Sequence, residues 1–165
     1  MIDIGTAQGC LPVQIAQIHS HIWGGGFDLP SMQPLFERYV REHRLDDCLR
    51  FYAGNFLQDP LPSADVLVLG RVLHNWDLQT KKMLLRKVYD ALPEGGSVIV
   101  FERLIDDERK RGLGGLLSSL HMLLMTEGGF DFTAADCASW MLEAGFHDPT
   151  IVSLTSTHSM VAATK

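Results

Sequence analysis

Cysteine is scarce: there are three in 165 residues, Cys10, Cys48 and Cys137. Their odd number and wide separation leave no disulfide framework and no metal-finger spacing, and they fit a reducing compartment, so a cytoplasmic protein is expected. Positive charge is also in short supply. Fourteen Lys and Arg stand against twenty Asp and Glu, a formal net charge of −6. That balance argues against nucleic acid as a partner, because phosphate backbones select clustered cations. The one basic run, Arg109-Lys110-Arg111 after Glu108, is abutted by Asp106 and Asp107 and reads as a solvated loop or helix end. Long apolar runs are missing too. The longest, 113–125, is broken by Gly, Ser and His and falls short of the ~20 residues that span a bilayer, so no membrane partner is expected. Asp3 interrupts any apolar start with no basic segment before it, and no secretory leader is read there. Internal repeats and low-complexity tracts are absent.

What is present is ordinary globular composition, 46% hydrophobic and 21% charged, enough for one domain with a core across 1–165. Apolar runs alternate with helix-length amphipathic segments. Strands are expected at 2–5, 22–28, 49–53, 66–70, 97–102, 149–154 and 159–163, with helices at 9–19, 30–42, 78–92 and 133–144. Val66-Leu67-Val68-Leu69 and Val98-Ile99-Val100-Phe101 are continuously apolar, as strands covered on both faces are in a parallel sheet. Only Thr155-Ser156-Thr157-His158 separates the last two strands, which must therefore form an antiparallel hairpin. Asp77 and Thr133 are placed to cap the helices that follow them, the second with Asp136 as a capping box. The segment 112–125, rich in Leu and Met, reads as a helix that either covers the sheet or walls a small-molecule pocket.

The chemistry gathers at strand ends. Asp3-Ile4-Gly5-Thr6-Ala7-Gln8-Gly9 is an acidic, glycine-spaced passage from strand through tight turn to helix. Gly5 and Gly9 permit a sharp turn and bring a ligand close to the helix start, and Asp3 is placed to engage a cationic group or a bound water. A purely structural turn reads the same way. Asp28, in Gly26-Phe27-Asp28-Leu29-Pro30, lies about 20 positions beyond the turn, where an acid accepts hydrogen bonds from ribose hydroxyls; a helix cap is the alternative. The glycines at 24–26 suggest a close approach to the strand. Gly54-Asn55-Phe56 offers an amide for a base edge and a ring for its face, or simply a turn.

The fourth strand ends in Gly70-Arg71-Val72-Leu73-His74-Asn75-Trp76-Asp77. His74 titrates naturally near neutrality and can act as a general base. Glu102 and Asp131 are expected on the same rim to orient it, although a lone histidine is also a common structural residue. His121, on the Leu/Met helix, is a candidate substrate contact.

Together, Asp-Ile-Gly-Thr-Ala-Gln-Gly, Gly-Phe-Asp-Leu-Pro, Gly-Asn-Phe, Val-Leu-His-Asn-Trp-Asp, Ala-Leu-Pro-Glu-Gly-Gly and Gly-Gly-Phe-Asp-Phe-Thr resemble the S-adenosylmethionine-dependent O-methyltransferases. That family includes plant caffeate and flavonoid enzymes and bacterial antibiotic-tailoring enzymes, and the motifs stand in the family's order along the whole chain. The resemblance implies an α/β, doubly wound class I methyltransferase (Rossmann-like) fold. Its seven-stranded, mostly parallel sheet has the order 3-2-1-4-5-7-6 with the last strand antiparallel. It implies S-adenosylmethionine as cofactor, bound by Asp3, Gly5, Gly9, Asp28, Leu29, Asn55, Phe56 and Arg71. His74 is then the base that deprotonates an acceptor hydroxyl, flanked by Glu102 and Asp131, with Asn75, His121, Met122 and Met125 toward the substrate and no metal. The expected partner is a small hydroxylated acceptor, a phenol of secondary metabolism. The family's homodimer is expected only together with its helical N-terminal dimerisation domain, which this sequence does not contain. N-methylation on the same scaffold and a non-catalytic cofactor-binding remnant are the rival readings.

Overall fold

The computed structural model describes residues 1–110 and 113–165. Its strands are β1 (Ile2–Ile4), β2 (Gly24–Asp28), β3 (Leu49–Ala53), β4 (Val66–Gly70), β5 (Ser97–Glu102), β6 (His147–Ser153) and β7 (Ser159–Thr164), joined in one sheet of order β3-β2-β1-β4-β5-β7-β6. β1 to β5 pair in parallel, while β7 runs antiparallel to both β5 and β6. The expected topology is therefore the observed one.

Among the described residues the α-helices over the sheet and at its rim are α1 (Cys10–Ile18), α2 (Gln33–Glu42), α3 (Leu78–Ala91), α4 (Leu113–Met125) and α5 (Ala134–Ala144). Because β1→β2 and β4→β5 move in opposite directions across the sheet, right-handed crossovers put α1 and α2 on one face and α3 on the other. The packing agrees. Val13, Ala16, Phe36 and Val40 form one apolar cluster with Leu49. Leu84, Leu85, Val88, Cys137 and Met141 join Ile4, Leu67, Leu69, Val98 and Val100 in the larger one. The strand order reverses between β1 and β4, and the carboxyl ends there form the crevice in which ligands of such folds bind.

Local chemistry fixes the helix starts. Asp77 Oδ1 accepts a hydrogen bond from Thr80 N at 2.8 Å, capping α3. Thr133 and Asp136 close a reciprocal capping box on α5. The expected helix 30–42 is divided: a 3-10 turn at Pro30–Met32 precedes α2. β6 begins earlier than expected, with a register shift between His147 and Thr150, where Pro149 has no N–H for the ladder.

Of the two roles open to the Leu/Met helix, covering the sheet is the one the structure does not show. Of α4 only Gly115 is buried, and Leu113, Leu117, Leu123, Leu124 and Met125 are more than half exposed. The helix follows an extended connection, held by Ile105 N donating to Phe132 O at 2.9 Å, and it packs at the rim beside the turn that carries His74. Its apolar composition says that it seeks burial, not where it finds it. Gly112, read as part of this helix, and Arg111 of the basic run lie outside the described residues. The rest of that run is charge-paired, Arg109 with Asp136 at 3.0 Å and Lys110 with Glu108 at 3.3 Å. Among the described residues no helix is long and apolar enough to cross a membrane.

Candidate active site

At the end of β1 the chain turns through Gly5 and Gly9, both in the left-handed region at φ +77° and +89°. A Cβ on Gly5 would lie 2.8 Å from Val72 Cγ2, so the turn also needs the space. Asp28 holds the turn from β2: its Oδ2 accepts from Ala7 N at 2.8 Å and its Oδ1 from Leu29 N at 2.7 Å. A carboxylate has about four lone-pair sites, which leaves capacity for two hydroxyls of a ligand. Asp3 lies buried beneath the turn. Its carboxyl is raised to about 7, chiefly by burial, with the Thr6 hydroxyl opposing and the Asp28 charge adding to the rise.

The loop after β3 is pinned from below. Lys87 of α3 donates to the carbonyls of Phe56 and Asp59 at 2.6 and 2.5 Å, and Asp59 Oδ2 accepts from Asn55 N at 2.8 Å. Asn55 Oδ1 accepts from Leu57 N at 3.0 Å, so the amide oxygen serves its own turn and the NH₂ is left as the donor for a base edge. Asp28, Leu29, Asn55, Phe56 and Trp76 line a cavity of about 250 Å³. The Phe56 and Trp76 rings meet edge to face with centroids 5.8 Å apart. That volume is below the ~300–1,000 Å³ of complete small-molecule sites, the size for one flat portion of a ligand. Hollows of about 300 and 420 Å³ lie elsewhere, around Met1, Trp23 and Asp65 and around Phe36, Arg41 and Phe51, apart from the rim.

Beside this cavity, β4 runs into a 3-10 turn at Leu73–Asn75 that buries His74. Its Nδ1 lies 2.6 Å from Glu102 Oε2 at the end of β5, with the two side chains 9% and 1% exposed. Glu102 Oε1 also accepts from His74 N at 3.4 Å. Asp131 arrives from the loop before α5, its backbone N donating to Ser119 Oγ of α4 at 3.2 Å. The donor atoms of His74, Glu102 and Asp131 all lie within 4.8 Å of one another. A carboxylate on Nδ1 fixes the imidazole so that Nε2 carries the free lone pair. With Nδ1 and a Glu102 oxygen consumed by their own bond, the set is built for acid–base work.

Among the described residues three buried side-chain polar atoms have no hydrogen-bond partner, and all lie at the site: Thr6 Oγ1 in the glycine turn, Trp76 Nε1 and Asp131 Oδ2. Each costs about 1–3 kcal/mol unless a ligand satisfies it. Together the flexed glycine turn, the carboxylate, the aromatic cavity and the buried histidine suit a nucleoside-bearing ligand with its reactive end directed at an imidazole base.

The structure brings together Asp3, Gly5, Gly9, Asp28, Leu29, Asn55 and Phe56 on one side, and His74, Glu102 and Asp131 on the other. Arg71 stands at the end of β4, exposed, at φ +57°. Asn75 spends its amide NH₂ on the carbonyls of Arg71 and Val72, both at 3.3 Å, and so braces its own turn. His121 and Met125 are exposed and Met122 half-buried. Reading the sequence missed Trp76, Lys87 and Lys81. The last is wholly buried and lies on the stripe Lys81, Leu84, Leu85, Val88 that α3 turns inward; a lysine at helical spacing with core leucines was the available signal.

Residues 1–147 match the family model of the O-methyltransferase domain. TcmO of Streptomyces glaucescens, the tetracenomycin polyketide synthesis 8-O-methyl transferase, is 40% identical over 147 residues, covering 89% of this chain and 43% of that protein. OxyT of Streptomyces rimosus, an N,N-dimethyltransferase, is 37% identical over 145 residues, covering 88% and 42%. The crystal structure of human N-acetylserotonin methyltransferase in complex with S-adenosylmethionine superposes with a TM-score of 0.90 at 30% identity, covering 100% of this chain and 47% of that one. The chain thus spans somewhat under half the length of these relatives.

Proposed function

This chain belongs to the O-methyltransferase domain family, and from that premise we propose that it binds S-adenosylmethionine and methylates a hydroxyl, phenolic in kind, on a small secondary metabolite. The reading rests above all on the buried His74–Glu102 pair at 2.6 Å. Glu102 holds the Nδ1 proton and steadies the imidazolium, while Nε2 takes the hydroxyl proton of the acceptor as its oxygen becomes the nucleophile. When bound, the cofactor supplies an electrophilic methyl group on a sulfonium. The chain's own work is otherwise positional. Asp28 accepts from the ribose hydroxyls, and the Asn55 amide and the Phe56 and Trp76 rings hold the adenine in the 250 Å³ cavity. Arg71, Asp3 and the Gly5–Gly9 turn address the remainder of the cofactor. Asp131, with its unpartnered buried oxygen, faces the proton-transfer zone. Aligning an oxygen with a methyl group and removing one proton is a reaction in which positioning supplies much of the rate.

Titration calorimetry with S-adenosylhomocysteine, followed by methyl transfer from S-adenosylmethionine to a panel of naphthols and polyphenols, tests the reading. Binding plus transfer that disappears in His74→Ala supports it. Transfer that survives in that variant overturns the role of the base. The 37% identity to OxyT favours one second reading, an amine acceptor, and a parallel panel of amines distinguishes it. Binding with no transfer to either panel would leave a cofactor-binding unit without chemistry of its own.

A further inference from the structure

We propose that Lys81 is a positioning residue of this site, whose buried ammonium ties the His74 turn to the Asp131 loop and supplies the positive charge that keeps the imidazole free to take a proton. The inference rests on the reading of His74 as the base. Lys81 is 0% exposed and shares its helix face with Leu84, Leu85 and Val88, all equally buried. Packing alone would be served by another leucine, and an ammonium withdrawn from water is costly unless it is paired. The neighbours account for it. Nζ donates to the carbonyl of Trp76, two residues beyond His74, and lies 3.5 Å from the centroid of the Phe130 ring, next to Asp131. Phe132, on the other side of Asp131, presents a second ring at 5.6 Å. One cation therefore grips both segments that carry the chemistry.

Its electrostatic partners complete the case. Glu102 of β5, Asp131 of the loop before α5 and Asp77 at the start of α3 all favour the charged ammonium, against a burial that brings it down to about 8. On α5 the Cys137 thiol, which feels the charges of Glu102 and Asp136, is raised chiefly by burial and so stays neutral. Without Lys81, His74 would sit beside two buried carboxylates with this ammonium's charge removed. Such a setting favours the imidazolium, a base already spent before the acceptor arrives. The ammonium offsets one of the two negative charges.

The test follows the His74 ring by NMR on the chain labelled with ¹³C at histidine Cε1, with the signal assigned by its loss in His74→Ala. In Lys81→Met the midpoint of the His74 titration is expected to move up by about one pH unit; in Lys81→Arg, which keeps the charge, it should stay within a few tenths. A Lys81→Met midpoint that does not move, or a Lys81→Arg midpoint that moves as far, overturns the proposal, since a merely structural lysine would give those results. If Lys81→Met does not fold, the unmodified chain decides through its ¹⁵N-labelled lysine side chains. A Lys81 signal still that of an ammonium at pH 7 supports the proposal, and a neutral amine at that pH overturns it. Failure of S-adenosylhomocysteine to bind, or His74→Ala retaining transfer, would instead strike the functional reading, so the two outcomes are separable.

Discussion

The two sides of the rim are built differently. Toward β1, β2 and β3 the site is a set of backbone turns: Gly5 and Gly9 in left-handed geometry, Ala7 and Leu29 N–H groups gathered on Asp28, and the Asn55 turn closed on Leu57 and Asp59. Toward β4 and β5 it is a packed knot of buried side chains, His74, Glu102, Asp131 and Lys81, drawn from four separate segments. A binding surface shared among several turns loses a fraction of its affinity when one side chain changes. A proton-transfer unit resting on one imidazole and its carboxylate loses its function outright. Under the proposed function, the difference would give affinity to one side and chemistry to the other, and single substitutions can break that division.

The largest effect belongs to the knot. His74→Ala is expected to lower methyl transfer by about 10²–10⁴-fold, the range for removing a general base, while S-adenosylhomocysteine affinity by calorimetry changes only a few-fold. A parallel collapse of affinity would mean that the two sides are one unit. Next comes Asp3, below the turns. Its folded value of about 7 lies above the ~3.9 of an unfolded aspartate, so between those values the native state holds the extra proton. Stability is then full below about pH 4 and falls as pH rises toward 7, with a slope of up to about 1.4 kcal/mol per pH unit. Asp3→Asn should flatten that decline, a difference on the order of 2 kcal/mol between pH 5 and 7 in urea unfolding; equal slopes in the two proteins would refute it.

The same contrast explains what could be read from the sequence. The strands and caps were legible because their causes are local: continuous apolar runs, Asp77 before Thr80, Thr133 before Asp136; the sheet order, a non-local property, was legible only through the family resemblance. The turn side was equally legible, since Gly5, Asp28 and Asn55 each sit in a contiguous motif at a strand end. His74, Glu102 and Asp131 needed the rim as a guide, being 28 or more positions apart. Lys81, Lys87 and Trp76 escaped because their roles arise only when α3 docks under two loops. For α4 two positions stayed open for a related reason: hydrophobicity is a property of the segment, but burial depends on a neighbour that the segment does not specify.

Gly5→Ala probes the turn side directly. A Cβ at φ +77° and 2.8 Å from Val72 Cγ2 should cost about 1–3 kcal/mol and weaken S-adenosylhomocysteine binding by around tenfold, a number of the same order. An unchanged affinity would show that the turn's geometry is not what holds the ligand.

The smallest effect sharpens the comparison from the start of the helix that lies beneath both sides. Asp77 caps α3 through Thr80 N and touches neither the cavity nor the imidazole, so Asp77→Ala should cost about 1 kcal/mol of stability with cofactor affinity intact. Yet α3 is the element that carries both Lys81 and Lys87, one under each side of the rim. If loosening its first turn disturbs function at all, the knot should register it first, because Lys81 lies one turn from the cap and Lys87 nearly three. A His74 titration that moves in Asp77→Ala while S-adenosylhomocysteine affinity holds would locate the coupling in Lys81. A change in affinity alone would place it in the Lys87 staple instead.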